Sequence, residues 1–174
     1  MPHAETTKPE AHEAAPHYST YIDKVPPGDI RKTLERQGNA TRTFLGEISE
    51  RKSRHRYAAD KWTIRQVLNH VNDCERLFVY RAFWFARGFD SPLPSFEQEV
   101  AVAAAGADDV SWARHVEEFD AIRTATTNFF RNLPDAAWSR KGIASGNPVT
   151  VRALAWIVAG HAAHHIGLVK ERYL

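Results

Sequence analysis

The 174-residue chain has one cysteine, Cys74, so no intrachain disulfide can form, and a cytoplasmic location is the default expectation. No apolar run reaches the roughly 18 residues of a membrane-spanning helix. The first seventeen residues, Met1 to His17, are polar and rich in Pro, Ala, His and Glu, without the apolar stretch of a secretory signal. Net charge is only +2, from 23 basic and 21 acidic residues that are interspersed along the chain. The lack of a long basic stripe gives no footprint for nucleic acid. Strand signals are scarce. No phosphate-binding glycine loop, no Gly-x-Ser-x-Gly elbow and no paired Glu-x-x-His motif appears, which disfavours nucleotide, serine-hydrolase and di-iron carboxylate chemistry. There is no internal repeat.

What is present is a soluble-domain composition, 43% hydrophobic and 25% charged, long enough for one core. Residues 1–20 read as a flexible tail, able to lie on a body formed by residues 21–174. Four helical segments follow. The first opens at Asp29 as N-cap and runs to about Glu50, with Ile30, Leu34, Gln37, Thr41, Phe44, Leu45 and Ile48 on one face. The second opens with the capping box Thr63-Ile-Arg-Gln66 and ends near Gly88. The third starts around Asp109 or Ser111 and stops before Pro134; the fourth runs from about Thr150 to the C-terminus. Residues 89–107, with Pro92, Pro94 and Gly106, read as a long crossing connection. The pattern predicts an all-α four-helix bundle, up-down-down-up, with its long crossover between helices 2 and 3.

The chemistry concentrates in histidine. His161 and His165 are four residues apart and share a helix face with Leu154, Val158, Leu168 and Arg172. His164 falls to one side of that stripe. His70 shares the inward face of the second helix with Val67, Cys74, Leu77 and Arg81. At 1.5 Å per residue, His70 lies about 10 Å from the start of its helix and His165 a similar distance from the end of the last. Antiparallel packing of those helices brings His70, His161 and His165 to one level. Three neutral imidazoles leave a position on a divalent metal for water or substrate, the pattern of a catalytic site; zinc and nickel both suit such ligands. The metal would lower the pKa of bound water to about 7 or hold a thiolate.

Asp73 stands at the edge of the His70 face and is the candidate to orient an imidazole or act on the bound water. Glu75 points away by the same wheel. Arg81 and Arg172, each on nearly the same face as an inward histidine, offer an anion contact or a structural pair. Cys74 reads as a small core residue, and Phe78, Tyr80, Phe83, Trp84 and Phe85 as packing, with some left over for a pocket or a dimer face. His3, His12, His17, His55 and His115 carry no assigned role.

The segment Lys61-Trp62-Thr63-Ile64-Arg65-Gln66-Val67-Leu68-Asn69-His70-Val71-Asn72-Asp73 resembles the Trp-(Ser/Thr)-x6-His-x-x-Asp signature of the DinB/YfiT-like superfamily. The ending Gly160-His161-Ala-Ala-His164-His165-Ile-Gly resembles that family's His-x-x-His-His motif, and the likeness spans roughly residues 20–174. The resemblance implies an up-down-down-up bundle with a metal on three histidines, which fall on His70, His161 and His165. It also implies thiol-dependent S-transferase, thiol-dependent isomerase or metal-dependent hydrolase activity on a small-molecule substrate, a low-molecular-weight thiol as co-reactant in the transfer version, and a homodimer. The rival readings are a non-catalytic metal-binding or stress-response bundle and a plain helical interaction module without metal. An open coordination position facing a cleft separates catalysis from structure.

Overall fold

A computed structural model of the chain describes residues 6–174. The start of the expected tail, with His3, lies outside the described residues. The elements in chain order are α1 (Ser19–Ile22), α2 (Ile30–Gly46), α3 (Ile64–Ala86), α4 (Gln98–Ala104), α5 (Trp112–Arg131), α6 (Asp135–Trp138), β1 (Lys141–Ala144), β2 (Asn147–Thr150) and α7 (Val151–Arg172). Together α2, α3, α5 and α7 form the four-helix bundle. Their starts follow from side-chain caps. Asp29 accepts from the Arg31 amide at 3.0 Å, Thr63 and Gln66 close a reciprocal capping box, and Thr150 accepts from the Ala153 amide at 3.0 Å. Ser111 makes no such bond; Glu50, arriving from beyond α2, caps α5 instead by accepting from the Trp112 amide at 2.8 Å. Because α7 is apolar on nearly every side through its first half, it is buried there by α3, α2 and the N-terminal segment.

End contacts fix the helix directions. Glu50 and Trp112 join the end of α2 to the start of α5, and Arg131 meets Glu35 at 3.4 Å at the opposite ends. Thr63, ahead of α3, donates to Asp108, ahead of α5, at 2.7 Å. Tyr173, past the end of α7, donates to the Trp62 carbonyl ahead of α3 at 2.9 Å, while Arg140, ahead of α7, donates to Ala86 at the end of α3 at 2.5 Å. So α2 and α7 run one way, and α3 and α5 the other.

Three features depart from the periodicity reading. The first helix ends at Gly46, before Glu50. The crossing connection contains α4 and a short 3-10 turn at Ala107–Asp109. Residues 141–150 form an antiparallel hairpin whose two-residue loop, Ser145 and Gly146, takes φ of 53° and 74°. Two left-handed residues make the tight turn that matches strand twist. Strands of four residues containing Gly142 and Pro148 give almost no alternation to read. Pairing of Leu93 with the hairpin, through amide bonds to the Ile143 carbonyl (2.9 Å) and from Ser145 (3.1 Å), ties the crossover to it.

Glu75 points away from the histidine face, as its wheel position implies, yet it does not face solvent. It is buried, and Arg123 of α5 grips it with two bonds, Nε to Oε1 at 2.8 Å and Nη2 to Oε2 at 2.7 Å. Arg123 Nη1 also donates to Gln37 of α2 at 2.8 Å, and Gln37 donates to the Ala159 carbonyl of α7 at 2.8 Å. Gly38 makes room, since a Cβ there would come within 2.7 Å of Arg123 Cγ. The wheel pointed away from the apolar face, but α5 covers that side of α3, and a buried charge is tolerated when paired and fully bonded. Breaking such a pair leaves an uncompensated charge, so Arg123→Met should lower the unfolding free energy by about 3–5 kcal/mol, with Glu75→Leu in the same chain restoring most of it. Urea denaturation at pH 7 checks this; a loss under about 1 kcal/mol in the single variant would show the pair to be solvated.

Candidate metal centre

His70 sits two turns inside α3, behind the Thr63 cap, and His161 and His165 lie one above the other in the second half of α7. Antiparallel packing of these helices brings the three rings together. His70 and His161 are buried and His165 half-buried, and one nitrogen from each lies within 4.8 Å of the others. His70 Nε2 and His161 Nε2 are 3.1 Å apart. Ring centroids are 4.8 Å apart for His70 and His165 and 4.5 Å for His161 and His165.

The surroundings keep these imidazoles neutral. Burial pulls the His70 pKa down to about 4. Burial, then the proximity of His70 and His164, pulls His165 down to about 3. Burial also holds His161 well below the usual histidine value, with His165, His70 and His164 adding to the effect. Each ring therefore keeps a lone pair at neutral pH.

The donor set fits a metal. As a plain hydrogen bond, the His70–His161 contact satisfies one pair of nitrogens, yet both ring nitrogens of His165 are buried without any partner. Buried polar atoms are rarely left that way. Tetrahedral ligands at about 2.1 Å place neighbouring nitrogens about 3.4 Å apart, a few tenths of an ångström beyond the 3.1 Å between His70 and His161.

Aromatic side chains form the walls. Trp62 packs on His70 with ring centroids 5.1 Å apart, Phe78 on His161 at 5.7 Å, and Tyr21 on both His161 (5.2 Å) and His164 (5.5 Å). Tyr21 reaches this place because α1 crosses α7 at Gly160, where a Cβ would stand 2.1 Å from the Tyr21 carbonyl oxygen. The segment leading into α1, expected as a tail, is anchored through Glu13. That buried carboxylate accepts from Thr150 at 2.8 Å and from Arg152 Nε at 3.0 Å. Periodicity gave no site role to this stretch. The spacing Tyr18, Tyr21, Ile22 and Val25 is the signal that it packs.

His70 and His161 form part of the wall of a cleft of about 350 Å³, which also takes in Tyr18, Tyr21, Phe78, Phe96 and Arg81. Of the other expected residues, Cys74 lines the cleft as Arg81 does, and Asp73 does not. The Asp73 carboxylate accepts from Asn69 at 2.9 Å and from Arg76 at 3.4 Å and is not part of the histidine cluster; burial raises its pKa, Arg76 lowers it and Glu118 raises it again. Cys74 belongs to the core, its Sγ 3.6 Å from His70 Nδ1, and burial pushes its thiol up to about 12, so it stays protonated. Arg81 and Arg172 do not pair: Arg81 donates to Pro94 and Ser145, and Arg172 lies over the Tyr57 ring. His115 is buried and bonds the Ala107 carbonyl at 2.8 Å.

The structure is similar to that of YfiT from Bacillus subtilis, described as a probable metal-dependent hydrolase with an unusual four-helix bundle topology. The TM-score is 0.70 at 15% identity, with 94% of this chain and 90% of that chain covered, a likeness of fold. No curated protein matches the sequence. Among the described residues no helix is long and apolar enough to cross a membrane. The family model of the DinB superfamily matches residues 33–169, which takes in α3 and α7 and all three clustered histidines, and the chain belongs to the DinB superfamily.

Proposed function

We propose that the protein is a metal-dependent hydrolase in which His70, His161 and His165 hold one divalent cation, zinc or nickel. One observation carries this reading: three neutral imidazoles converge where two of them border an open cleft. A closed structural site would use four protein ligands, and among the described residues no fourth His, Cys, Asp or Glu joins the cluster. The description of YfiT supports hydrolysis as the reaction class. A divalent cation so held supplies a water of pKa about 7 and polarises a carbonyl.

The chain's own residues do the rest. The imidazoles are held as ligands by helices whose relation is fixed, and desolvation keeps them unprotonated. Nε2 of His70 is turned to the cluster, and the Cys74 sulfur packs against the ring at 3.6 Å from Nδ1 and 3.7 Å from Nε2. Trp62, Phe78 and Tyr21 limit water around the rings, strengthening electrostatic interactions there. Burial favours the protonated thiol of Cys74, a small core side chain in this reading. Transfer of a low-molecular-weight thiol to an electrophile would use the same open position, with the thiol entering by the cleft.

Elemental analysis should find about one equivalent of metal in the purified protein, and His161→Ala should weaken zinc binding by about 100-fold or more. Equal metal in both proteins would remove the site. Ester and amide hydrolysis, run beside a thiol-plus-electrophile assay, should show hydrolysis rising with metal content; activity confined to the thiol arm would change the reaction class.

Stability of the metal-free protein carries a pH signature. Folded His70 and His165 have pKa values of about 4 and about 3, against 6.5 for the free side chain. Between those values the unfolded chain takes up protons that the native state refuses, so stability is fully present above pH 6.5 and falls as pH drops below it. The urea midpoint of chelated protein should therefore decline from pH 7 to pH 5, with a shallower decline in His165→Gln. A flat profile would show solvated rings.

A further inference from the structure

Three arginines are buried among the described residues: Arg65, Arg81 and Arg123. Arg65 pairs with Glu50, and Arg123 with Glu75. Arg81, only 2% exposed, has no carboxylate partner. Its Nη2 donates to the Pro94 carbonyl at 2.8 Å and to Ser145 Oγ at 2.9 Å, and its Nε is buried with no partner. A buried guanidinium without a counter-charge is costly, and such groups are normally paired. This one lines the same cleft as His70 and His161.

The protein holds it there by design of the fold. Pro94 belongs to the crossover and Ser145 to the left-handed hairpin loop, and Leu93 bonds the two segments together. Neither acceptor carries a charge, so both fix the guanidinium without neutralising it. Leu77 and Phe78 lie between His70 and Arg81 along α3, and the cleft wall adds Phe96 and Tyr18 beside the polar Ser95 and Gln98. His70 and Arg81 are eleven residues apart on α3, about 16 Å along the axis, and helical side chains lean toward the N-terminus. The guanidinium and the histidines are thus separated by something on the order of 10 Å, the span of a short acyl chain.

We propose that Arg81 is the carboxylate-binding end of the substrate cleft, and that the substrate is a monocarboxylate with an apolar body between its acid group and the reacting bond. The assignment rests on the hydrolase reading for the far end of the cleft only. One negative charge suits the site, because exposed Glu97 also lines the cleft and repels a dianion. An Arg–carboxylate contact suits the guanidinium N–H groups that Pro94 and Ser145 leave unbonded.

The test is titration calorimetry of the full chain, metal-free and zinc-loaded, with 4-phenylbutyrate and its neutral isostere 4-phenylbutyramide. The carboxylate should bind about tenfold or more tightly than the amide in both forms, the scale of one charge-assisted hydrogen bond. Arg81→Gln should abolish that preference at unchanged zinc stoichiometry, and Arg81→Lys should keep part of it. Wild-type protein that does not favour the carboxylate overturns the proposal without any variant. So does a preference that survives Arg81→Gln, or one that appears only with zinc, since the acid group would then sit on the metal. A His161→Ala variant that keeps its zinc while wild-type protein keeps the carboxylate preference sinks the metal reading and leaves the Arg81 site standing.

Discussion

A chain of hydrogen bonds crosses the whole bundle: Glu75 on α3, Arg123 on α5, Gln37 on α2 and the Ala159 carbonyl on α7. Each of the four long helices contributes one member. The chain meets α7 two residues before His161, and it leaves α3 five residues after His70. Apolar packing alone tolerates sliding and repacking, whereas a bidentate ion pair with a third partner has one good geometry. The register of α3 against α7 is therefore set by polar contacts close to the point where the imidazoles must meet. A shift of one residue in either helix would turn a ring out of the cluster.

The same burial serves two ends. Removing water from His70, His161 and His165 depresses their proton affinity, and a deprotonated nitrogen is what a divalent cation needs. Desolvation costs stability in the metal-free protein, because His165 has no partner for either nitrogen. Metal binding would remove that penalty. The cluster is a local conflict between folding and chemistry, and such conflicts concentrate at functional sites.

Much of this was legible in the chain. Capping residues Asp29, Thr63 and Thr150 mark three helix starts because a cap is a local interaction between neighbours. The i, i+4 pair His161 and His165 shares a face for the same local reason, and the opposed directions of α3 and α7 supply His70. Glu75 does turn away from the His70 face, but its burial was not legible, because one apolar stripe on a wheel does not show that α3 is covered by α5 as well as α7. The hairpin escaped because Gly142 and Pro148 erase its alternation. Glu13 depends on Arg152, more than a hundred positions away, which no local pattern can register; Tyr21 lies in a readable apolar spacing, but its partner His161 is equally remote.

These failures share a location. The three clustered imidazoles come from two regular helices, whose spacing is fixed by backbone hydrogen bonding. Much of the rest of the cleft comes from the N-terminal segment, the crossover and the hairpin. Helices hold a donor set rigidly, and irregular segments tolerate substitution and insertion. The construction separates two duties in one small domain. The helical pair holds the three histidines, and Tyr18, Phe96 and the Ser145-anchored Arg81 form the wall beside them. Changes in the crossover or the hairpin turn could re-aim Arg81 and so alter substrate choice while His70, His161 and His165 stay in place. The cleft wall is thus built from the parts of the sequence with the weakest periodic signal, and for that reason periodicity reveals the histidine cluster more readily than the wall beside it.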